Sequence, residues 1–228
     1  MKYLLLEGGA EFGGQMRAPD LRAISLAGGL QAPIRILPTA AAPDNNYKRA
    51  GQNGVRWFES LGAQDVTWLP LIDQTSANDP KIVEELLRAK LIYLLGGFTH
   101  YLGQTLQGSS TWQAARSANQ AGAVIAGSSA GAMVMCQFYY DPSSGKVENG
   151  LGLVANALVL PHHDSFGKGW APKLQKQLPQ VTLLGIDERT GMLSEDGGKN
   201  WQVLGKSSVS IYRDGRREVY ETGKEFSL

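Results

Sequence analysis

The sequence IAGSSAGAMVM, residues 125–135, passes from an apolar run through small residues into a second apolar run. Its centre matches the pattern G-x-S-x-G around Ser129. That spacing suits a sharp turn from a strand into a helix, because the residues two before and two after the serine must lack bulk. The backbone N–H of Ala130 then lies at the positively polarised start of the helix, where it can bind an oxyanion. We therefore predict a strand ending at Ala126, a nucleophilic Ser129 and a helix over residues 130–138.

The motif alone leaves two other interpretations open. Ser128 is adjacent, but glycines do not flank it at the required spacing, so Ser129 is the better candidate. A turn of small residues that only packs a helix against a strand would have the same composition. Cys136, the only cysteine, is predicted to be a small core residue. A single cysteine also excludes an internal disulfide and a cysteine-rich metal site.

Short apolar runs alternate with amphipathic stretches through the first two thirds of the chain. The predicted strands are residues 3–6, 34–37, 66–69, 91–95 and 123–126. The predicted helices between them are residues 20–27, 47–61, 80–89 and 111–121. This alternation predicts an α/β fold, with a mostly parallel sheet covered by helices on both faces.

The last third of the chain has a different pattern. Residues 151–160 and 180–186 are predicted to be further strands, and from Met192 onward short apolar runs are separated by turn residues. Asp214 and Gly215 stand between two such runs, which is a strong hairpin signal. We predict antiparallel strands that extend the sheet, and one domain over residues 1–228, a length that does not require two.

Glycine pairs follow several predicted strands. The first strand runs into Gly8 and Gly9, and the fourth runs into Gly96 and Gly97. Glycine permits a close approach by another backbone or by a ligand. Because ligands of such sheets bind beyond the carboxyl ends of the strands, these turns are expected to line a cleft.

A nucleophilic serine needs a base, and the chain has three histidines, His100, His162 and His163. His162 and His163 directly follow an apolar strand in the sequence PHHD, so either could reach Ser129. His100 follows the Gly96-Gly97 pair and could also line the cleft. The residues alone do not show whether His162 or His163 is the base.

The base needs an acid that orients it. Glu188 is the best placed, because it follows an apolar strand in the sequence GIDERT, residues 185–190. Asp187 precedes it, and adjacent side chains of an extended segment point to opposite sides, so only one of the two can face the cleft. The other acids considered lie in predicted loops: Asp141, Glu148 and Asp164.

The order of these groups and the identity of the residue at the turn disfavour two classes of enzyme. The α/β-hydrolases place histidine last, after the acid, whereas this chain has no histidine beyond His163. A glutamine amidotransferase would carry cysteine at the turn, and here the residue is Ser129.

With these motifs, the chain resembles the serine peptidase family that contains aspartyl dipeptidase (peptidase E) and cyanophycinase. The resemblance rests on Gly8-Gly9, on ILPTA at 36–40, on IYLLGG at 92–97, on GSSAGA at 127–132 and on GIDERT, together with Pro161-His162. It implies a class I glutamine amidotransferase-like fold, which is a flavodoxin-like three-layer sandwich. It also implies hydrolysis of small peptides without a metal or other cofactor, and it allows a homodimer.

The resemblance also implies roles for individual residues. Ser129, His162 and Glu188 would form the catalytic triad, and the N–H groups of Gly97 and Ala130 would form the oxyanion hole. The expected substrate-binding residues are Gly9, Gly96, Phe98, Thr99 and His163.

The chain also departs from the family pattern. Relatives often have asparagine where this chain has Phe98, and cyanophycinase carries an arginine-rich stretch where residues 162–177 contain no arginine. Three lysines in this region could contact substrate or lie in solvent: Lys168, Lys173 and Lys176.

The composition limits the partners. The formal net charge is +1, from 22 basic and 21 acidic side chains, so electrostatics favours neither nucleic acid nor an anionic membrane. The N-terminal sequence MKYLLLEGG has too short an apolar run for a signal peptide or a membrane span, and we expect a cytoplasmic protein. The alternatives to a peptidase are an esterase or acyltransferase with the same triad, and a catalytically silent binding module.

Overall fold

The computed structural model describes residues 2–228, and within them five parallel strands form one side of the main sheet. These strands are β1 (Tyr3–Glu7), β2 (Ile34–Leu37), β3 (Val66–Trp68), β4 (Leu91–Leu94) and β5 (Val124–Ser128). They lie side by side in the order β1-β5-β4-β2-β3. All but the edge strand β3 are buried almost throughout, as expected of a parallel sheet covered on both faces. The predicted α/β fold is confirmed.

Helices cover both faces of this sheet. They are α1 (Arg17–Leu26), α2 (Tyr47–Ser60), α3 (Pro80–Arg88), α4 (Thr99–Leu106), α5 (Ser110–Gln120), α6 (Ala130–Met135) and α7 (Ala171–Gln177). The buried residues of α1 and α2 pack in one apolar core, whereas those of α3 to α6 pack in another. The four helices predicted between the strands are therefore present, with ends that shift by up to three residues. Helices α4 and α7 were not predicted, and α6 ends earlier than expected because Phe138 begins a strand.

The remaining strands are β6 (Phe138–Asp141), β7 (Lys146–Asn149), β8 (Ala157–Leu160), β9 (Thr182–Ile186), β10 (Thr190–Ser194), β11 (Asn200–Gly205), β12 (Ser208–Arg213), β13 (Arg216–Glu221) and β14 (Glu225–Ser227). Strands β10, β11 and β14 extend the main sheet beyond β1 with antiparallel pairing. Strands β6 and β7 form a separate hairpin.

A second, smaller sheet has the strand order β13-β12-β9-β8. The expectation that all the C-terminal strands extend the main sheet is therefore wrong for β12 and β13, which pair with β9 instead. The hairpin between β12 and β13, with Asp214 and Gly215 in the turn, is present as predicted. A sequence pattern identifies a strand, but its partner is chosen by contacts distant in sequence, and the pattern does not contain them.

The two sheets meet at the turn after β1. The N–H of Gly8 donates to the carbonyl of Thr190 at 3.0 Å, and the carbonyl of Gly8 accepts the N–H of His162 at 2.7 Å. A Cβ on Gly8 would lie only 2.2 Å from the carbonyl oxygen of Asp187, so only glycine fits here. The carboxyl ends of β1, β5, β8 and β9 are thereby brought to one place. No helix in residues 2–228 is long and apolar enough to cross a membrane.

Candidate active site

Ser129 stands on a strained turn between β5 and α6. Its backbone has φ 49° and ψ −112°, a conformation that L-residues rarely adopt. A Cβ on Gly127 would lie 2.6 Å from the carbonyl carbon of Gly131, and a Cβ on Gly131 would lie 2.2 Å from the carbonyl oxygen of Leu94. The N–H of Ser129 donates to the carbonyl of Glu7 at 3.0 Å. Both glycines are thus required by close backbone packing, and the predicted elbow is present.

Ser129, His162 and Glu188 form one hydrogen-bonded array. Ser129 Oγ lies 3.0 Å from His162 Nε2, and His162 Nδ1 lies 2.8 Å from Glu188 Oε1. The three side chains follow the carboxyl ends of β5, β8 and β9, respectively. The structure therefore brings together the serine, the histidine and the acid for which the sequence predicted a common site.

The backbone around His162 holds its ring in place. His162 has φ 47°, a strained value for a residue with a side chain. Gly9 packs directly against the ring, since a Cβ there would lie 2.2 Å from His162 Cε1. On its other side, Phe166 stacks on the imidazole with the ring centroids 4.8 Å apart. Gly9 therefore supports the histidine, a more specific role than the substrate contact expected from the sequence.

Glu188 is positioned by backbone hydrogen bonds on both sides. Its own N–H donates to Asp164 Oδ1 at 2.9 Å, and the N–H of Arg189 donates to the carbonyl of Gly9 at 3.0 Å. Asp164, one of the acids considered from the sequence, thus acts on the loop and not on the histidine.

His163 lies in the core and does not line the cleft, which corrects the expectation that it binds substrate. Its side chain is 2% exposed, with Nδ1 3.3 Å from Asp187 Oδ1 and Nε2 2.9 Å from the hydroxyl of Tyr212. The physical reason is the alternation of side chains along an extended segment, which turns Asp187 inward and Glu188 outward. Each of the two adjacent histidines pairs with a different one of the two adjacent acids.

The pKa of Asp187 reflects this buried network. Burial by itself would raise it, but hydrogen bonds from His163, Ser207 and Ser208 outweigh burial and lower it to about 2. Asp187 is consequently a structural anion that supports the small sheet.

Of the two predicted oxyanion donors, Ala130 directly follows Ser129, and Gly97 follows Gly96, where a Cβ would lie 3.3 Å from Ser129 Cβ. Gly97 has φ 138° and packs against Ala40, where a Cβ would lie 2.4 Å from the carbonyl oxygen. The following N–H, of Phe98, donates to that same carbonyl at 2.8 Å. Within residues 2–228, no protein acceptor binds the N–H of Gly97 or that of Ala130, the first residue of α6. Both donors are therefore available to a ligand.

The remaining predicted substrate-binding residues separate into two groups. Gly96 and Phe98 line an open cavity of about 670 Å³ beside Ser129, and the Phe98 side chain is 48% exposed. Thr99 does not line the cleft, because its side chain is buried and its hydroxyl contacts the sulfur of Met133 at 3.6 Å. As the first residue of α4, Thr99 is directed into the helix packing.

Neither His100 nor Lys173 enters the array. His100 Nδ1 lies 3.0 Å from the hydroxyl of Tyr139, and Lys173 Nζ donates to the carbonyl of Gly145 at 3.2 Å. Lys168 and Lys176 are exposed. The lysines considered as substrate contacts thus have no demonstrated role at the cleft.

Sequence reasoning missed a buried acidic group beneath the cleft. Glu7 and Asp20 are both 0% exposed, the hydroxyl of Tyr93 donates to Glu7, and the indole N–H of Trp57 donates to Asp20 at 2.7 Å. Glu7 Oε1 and Asp20 Oδ1 receive no hydrogen bond from another donor in the described chain. The two carboxyls lie close enough to bond each other once one is protonated. Glu7 ends an apolar strand and Asp20 lies in a helix, so nothing in the pattern pairs them.

The pKa values of this pair are raised. Burial raises the pKa of Glu7 well above its ordinary value, and the charge of Asp20 raises it further. Burial also raises the pKa of Asp20 to about 7, and hydrogen bonds from Trp57 and Glu7 offset only part of that increase. A proton is therefore retained here into the neutral range.

Replacing Asp20 with asparagine is expected to flatten the pH dependence of stability. A carboxyl with a raised folded-state pKa binds its proton more tightly when folded, so stability falls as pH rises from 3.8 to about 7. The neutral amide does not titrate, so the variant avoids this loss. On going from pH 4 to pH 8, we expect its free energy of unfolding to rise relative to that of wild type by on the order of 1–3 kcal/mol. Urea unfolding at both pH values measures the difference. Glu59→Gln on the exposed surface of α2 is the control, and an unchanged pH dependence in Asp20→Asn would contradict the assignment.

Residues 2–228 contain no group of three or more histidine, cysteine, aspartate or glutamate side chains arranged to hold a metal ion. The chemistry described below uses protein groups and water.

Comparisons with known proteins give a family match. The sequence model of Peptidase family S51 matches residues 4–200. The cyanophycinases of Nostoc sp. (strain PCC 7120 / SAG 25.82 / UTEX 2576) and Trichormus variabilis (strain ATCC 29413 / PCC 7937) are each 30% identical over 197 residues, which is 81% of this chain. The chain spans 64% of the length of these two relatives.

Solved structures are similar over the whole chain. A peptidase from an acI-B1 Actinobacterium is 31% identical with a TM-score of 0.89, covering 100% of this chain and 97% of its own. A peptidase E protein from Listeria monocytogenes EGD-e has a TM-score of 0.62 at 21% identity, covering 93% of this chain and 98% of its own, and shows the shared fold alone. The resemblance inferred from the motifs is confirmed. Since the family model matches residues 4–200, which is most of the chain, the chain belongs to peptidase family S51.

Proposed function

We propose that the chain is a serine peptidase that hydrolyses small peptides, as a dipeptidase or exopeptidase, through Ser129, His162 and Glu188. The observation that carries the proposal is the continuous hydrogen-bonded array, 3.0 Å from Ser129 Oγ to His162 Nε2 and 2.8 Å from His162 Nδ1 to Glu188 Oε1. A serine hydroxyl bonded to a histidine, which is bonded in turn to a carboxylate, is the arrangement that acyl transfer requires.

The first half of the reaction forms an acyl-enzyme. Ser129 Oγ attacks the peptide carbonyl carbon while His162 Nε2 takes the hydroxyl proton. Glu188 keeps the imidazole oriented and stabilises its positive charge without taking the proton itself. The tetrahedral oxyanion accepts hydrogen bonds from the N–H groups of Gly97 and Ala130. The loss of one such donor typically costs about 3–4 kcal/mol of transition-state stabilisation.

The second half releases both products. His162 gives its proton to the leaving nitrogen, the carbon–nitrogen bond breaks, and the amine departs while the acyl group stays on Ser129. Water then attacks the ester carbonyl as His162 takes one of its protons, and collapse of the second tetrahedral species returns that proton to Ser129 Oγ. The products are a carboxylic acid and an amine, and the enzyme is unchanged.

The strained turn supports this function over a silent binding module. Positive φ at Ser129 is a costly conformation, and such strain is concentrated at functional sites. The family match and the peptidase among the similar structures also support peptide hydrolysis. The cyanophycinases are longer than this chain.

A fluorophosphonate probe and a peptide library together test the proposal. The probe is expected to label Ser129 once per chain, as mapped by mass spectrometry. Digestion of the library should release terminal residues from short peptides, with Ser129→Ala as the blank.

Two results would overturn the proposed function. Labelling of Ser129→Ala at another residue with retained hydrolysis would remove Ser129 as the nucleophile. Turnover of short esters with no cleavage of any library peptide would favour the esterase alternative.

A further inference from the structure

Glu11 lines the open cavity beside Ser129, in the loop between β1 and α1. The cavity has a volume of about 670 Å³, and Gly96, Gly97 and Phe98 form its wall next to the predicted oxyanion hole. A carboxylate at this position has no part in the acyl-transfer steps described above.

Glu11 lies close to the candidate nucleophile. A Cβ built on Gly96 would be 3.2 Å from Glu11 Oε1 and 3.3 Å from Ser129 Cβ. The two atoms are therefore no further apart than the sum of these distances. This separation is within the reach of one amino-acid residue whose carbonyl carbon is under attack by Ser129, since consecutive Cα atoms are about 3.8 Å apart.

The structure holds the Glu11 side chain in one place. The hydroxyl of Ser128 donates to Glu11 Oε2 at 2.8 Å, which leaves Oε1 toward Gly96 and the cavity. The flanking residues Ala10 and Phe12 both have positive φ, 55° and 63°. The ring of Phe12 packs against the buried ring of Tyr93, with the ring centroids 5.6 Å apart, and this contact anchors the strained loop to the core.

The charge around Glu11 favours a cation. In the described chain, no lysine, arginine or histidine forms an ion pair with it. Arg56 also lines the cavity and keeps its positive charge while it donates to Asn53 Oδ1, but Asp44 adds a second acid to the wall, so the lining carries two acids against one base. An anionic substrate group next to Glu11 would be repelled, whereas a cation would form a charge-assisted hydrogen bond.

The position of His162 decides which part of a substrate meets Glu11. His162 must protonate the leaving amine, so the leaving group lies on its side of Ser129. Neither Ser129 nor His162 lines the cavity, but Gly96, which packs close to Ser129, and Gly97 do. An acyl residue bound next to Gly96 and Gly97, away from His162, would therefore extend into this cavity.

We propose that Glu11 binds a positively charged group on the acyl residue of the substrate. The cation is either the free α-ammonium of an N-terminal residue or the side chain of lysine or arginine. This inference rests on the proposed function, because it assumes that Ser129 is acylated.

The test uses phosphonate diphenyl esters, which phosphonylate an active serine with loss of phenol. Four probes combine two side chains, lysine and norleucine, with a free or an acetylated α-amino group. Acetyl-norleucine phosphonate carries no charge and is the reference. The rate of Ser129 modification is followed by intact mass for wild type, Glu11→Gln and Glu59→Gln.

We expect at least one kind of charged probe to modify wild type about 10- to 100-fold faster than the reference, the range for a charged hydrogen bond. A gain with free-amino norleucine identifies the α-ammonium, and a gain with acetyl-lysine identifies the side chain. In Glu11→Gln the ratio of charged to neutral rates should fall toward one. Glu59→Gln, the same change at an exposed position of α2, should keep the wild-type ratio.

The ratio within each variant is independent of the fraction of folded protein. The inference is overturned if no charged probe exceeds the reference in wild type, or if Glu11→Gln keeps the preference. Labelling with an alkyl fluorophosphonate distinguishes failure of the Glu11 inference from failure of the proposed function. If it labels Ser129 while the phosphonates show no preference, only the inference about Glu11 fails; if it leaves Ser129 unlabelled, the proposed function fails.

Discussion

Replacing Ser129 with alanine is expected to lower kcat/KM for peptide hydrolysis by about 10⁴- to 10⁶-fold, the range for loss of a serine nucleophile. Ser129 is the group that would form the covalent intermediate, and its Oγ is the atom 3.0 Å from His162 Nε2. Without it, catalysis is limited to what the oxyanion donors can contribute to direct attack by water. Steady-state kinetics on the best library peptide measures the loss, and unfolding curves check that the variant is folded.

Ser128→Ala is the matched control, one residue away in the same turn. The Ser128 hydroxyl is buried and donates to Glu11, so it cannot reach a substrate carbonyl. We expect kcat/KM to fall by less than about tenfold, the scale of one ordinary hydrogen bond. Comparable losses in the two variants would mean that the turn as a whole, and not the Ser129 hydroxyl, supports the activity.

The second large effect separates two adjacent acids. Glu188→Gln is expected to lower kcat by about 10³- to 10⁴-fold with little change in stability, because the amide no longer fixes the imidazole tautomer or stabilises its charge. Asp187→Asn is expected to lower the free energy of unfolding by about 1–3 kcal/mol, because it disturbs the bonds to His163, Ser207 and Ser208. Kinetics and urea unfolding on both variants give the comparison.

The acid sensitivity of the two variants adds an independent check. The pKa of Asp187 is lowered to about 2, so its contribution to stability is complete above the ordinary value of 3.8 and is lost as pH falls from there toward 2. Asp187→Asn should therefore lose less stability than wild type over that interval, and less than Glu188→Gln, which keeps Asp187. Loss of activity in Asp187→Asn equal to that in Glu188→Gln, with stability unchanged, would reverse the two roles.

Local sequence patterns predicted most of the parallel sheet with its helices, and the turn at Ser129. The strands of the parallel core were predictable because each is a short apolar run, and the helices because apolar residues recur at helical spacing. Ser129 was identifiable because the steric demand of the turn is local. Gly127 and Gly131 lie within two residues of Ser129, so their spacing is visible in the sequence.

The histidine and the acid were predictable only in part. Glu188 was favoured because an apolar strand precedes it, and the alternation of side chains required that Asp187 face the other way. The same alternation does not say which side is the cleft, so His162 and His163 could not be distinguished from the residues. Two contacts show that His162 faces the cleft and His163 the core. Gly9 packs against the His162 ring, His163 bonds to Tyr212, and both contacts join segments distant in sequence.

Other features have no local signal at all. The pairing of β12 with β9, the burial of Glu7 against Asp20 and the approach of Glu11 to Ser128 join segments far apart along the chain. Helix α4 escaped prediction because its sequence THYLGQTL is short and mixes glycine with polar residues.

The sequence by itself determined the α/β class, the parallel core and the strained turn that presents Ser129, because each depends on residues close together in the chain. Only the tertiary structure decided that His162 lies between Ser129 and Glu188, that His163 and Asp187 face inward, and that Glu11 lines the cavity. The physical reason is that these contacts arise from the meeting of two sheets at Gly8 and Gly9, which local propensity does not encode.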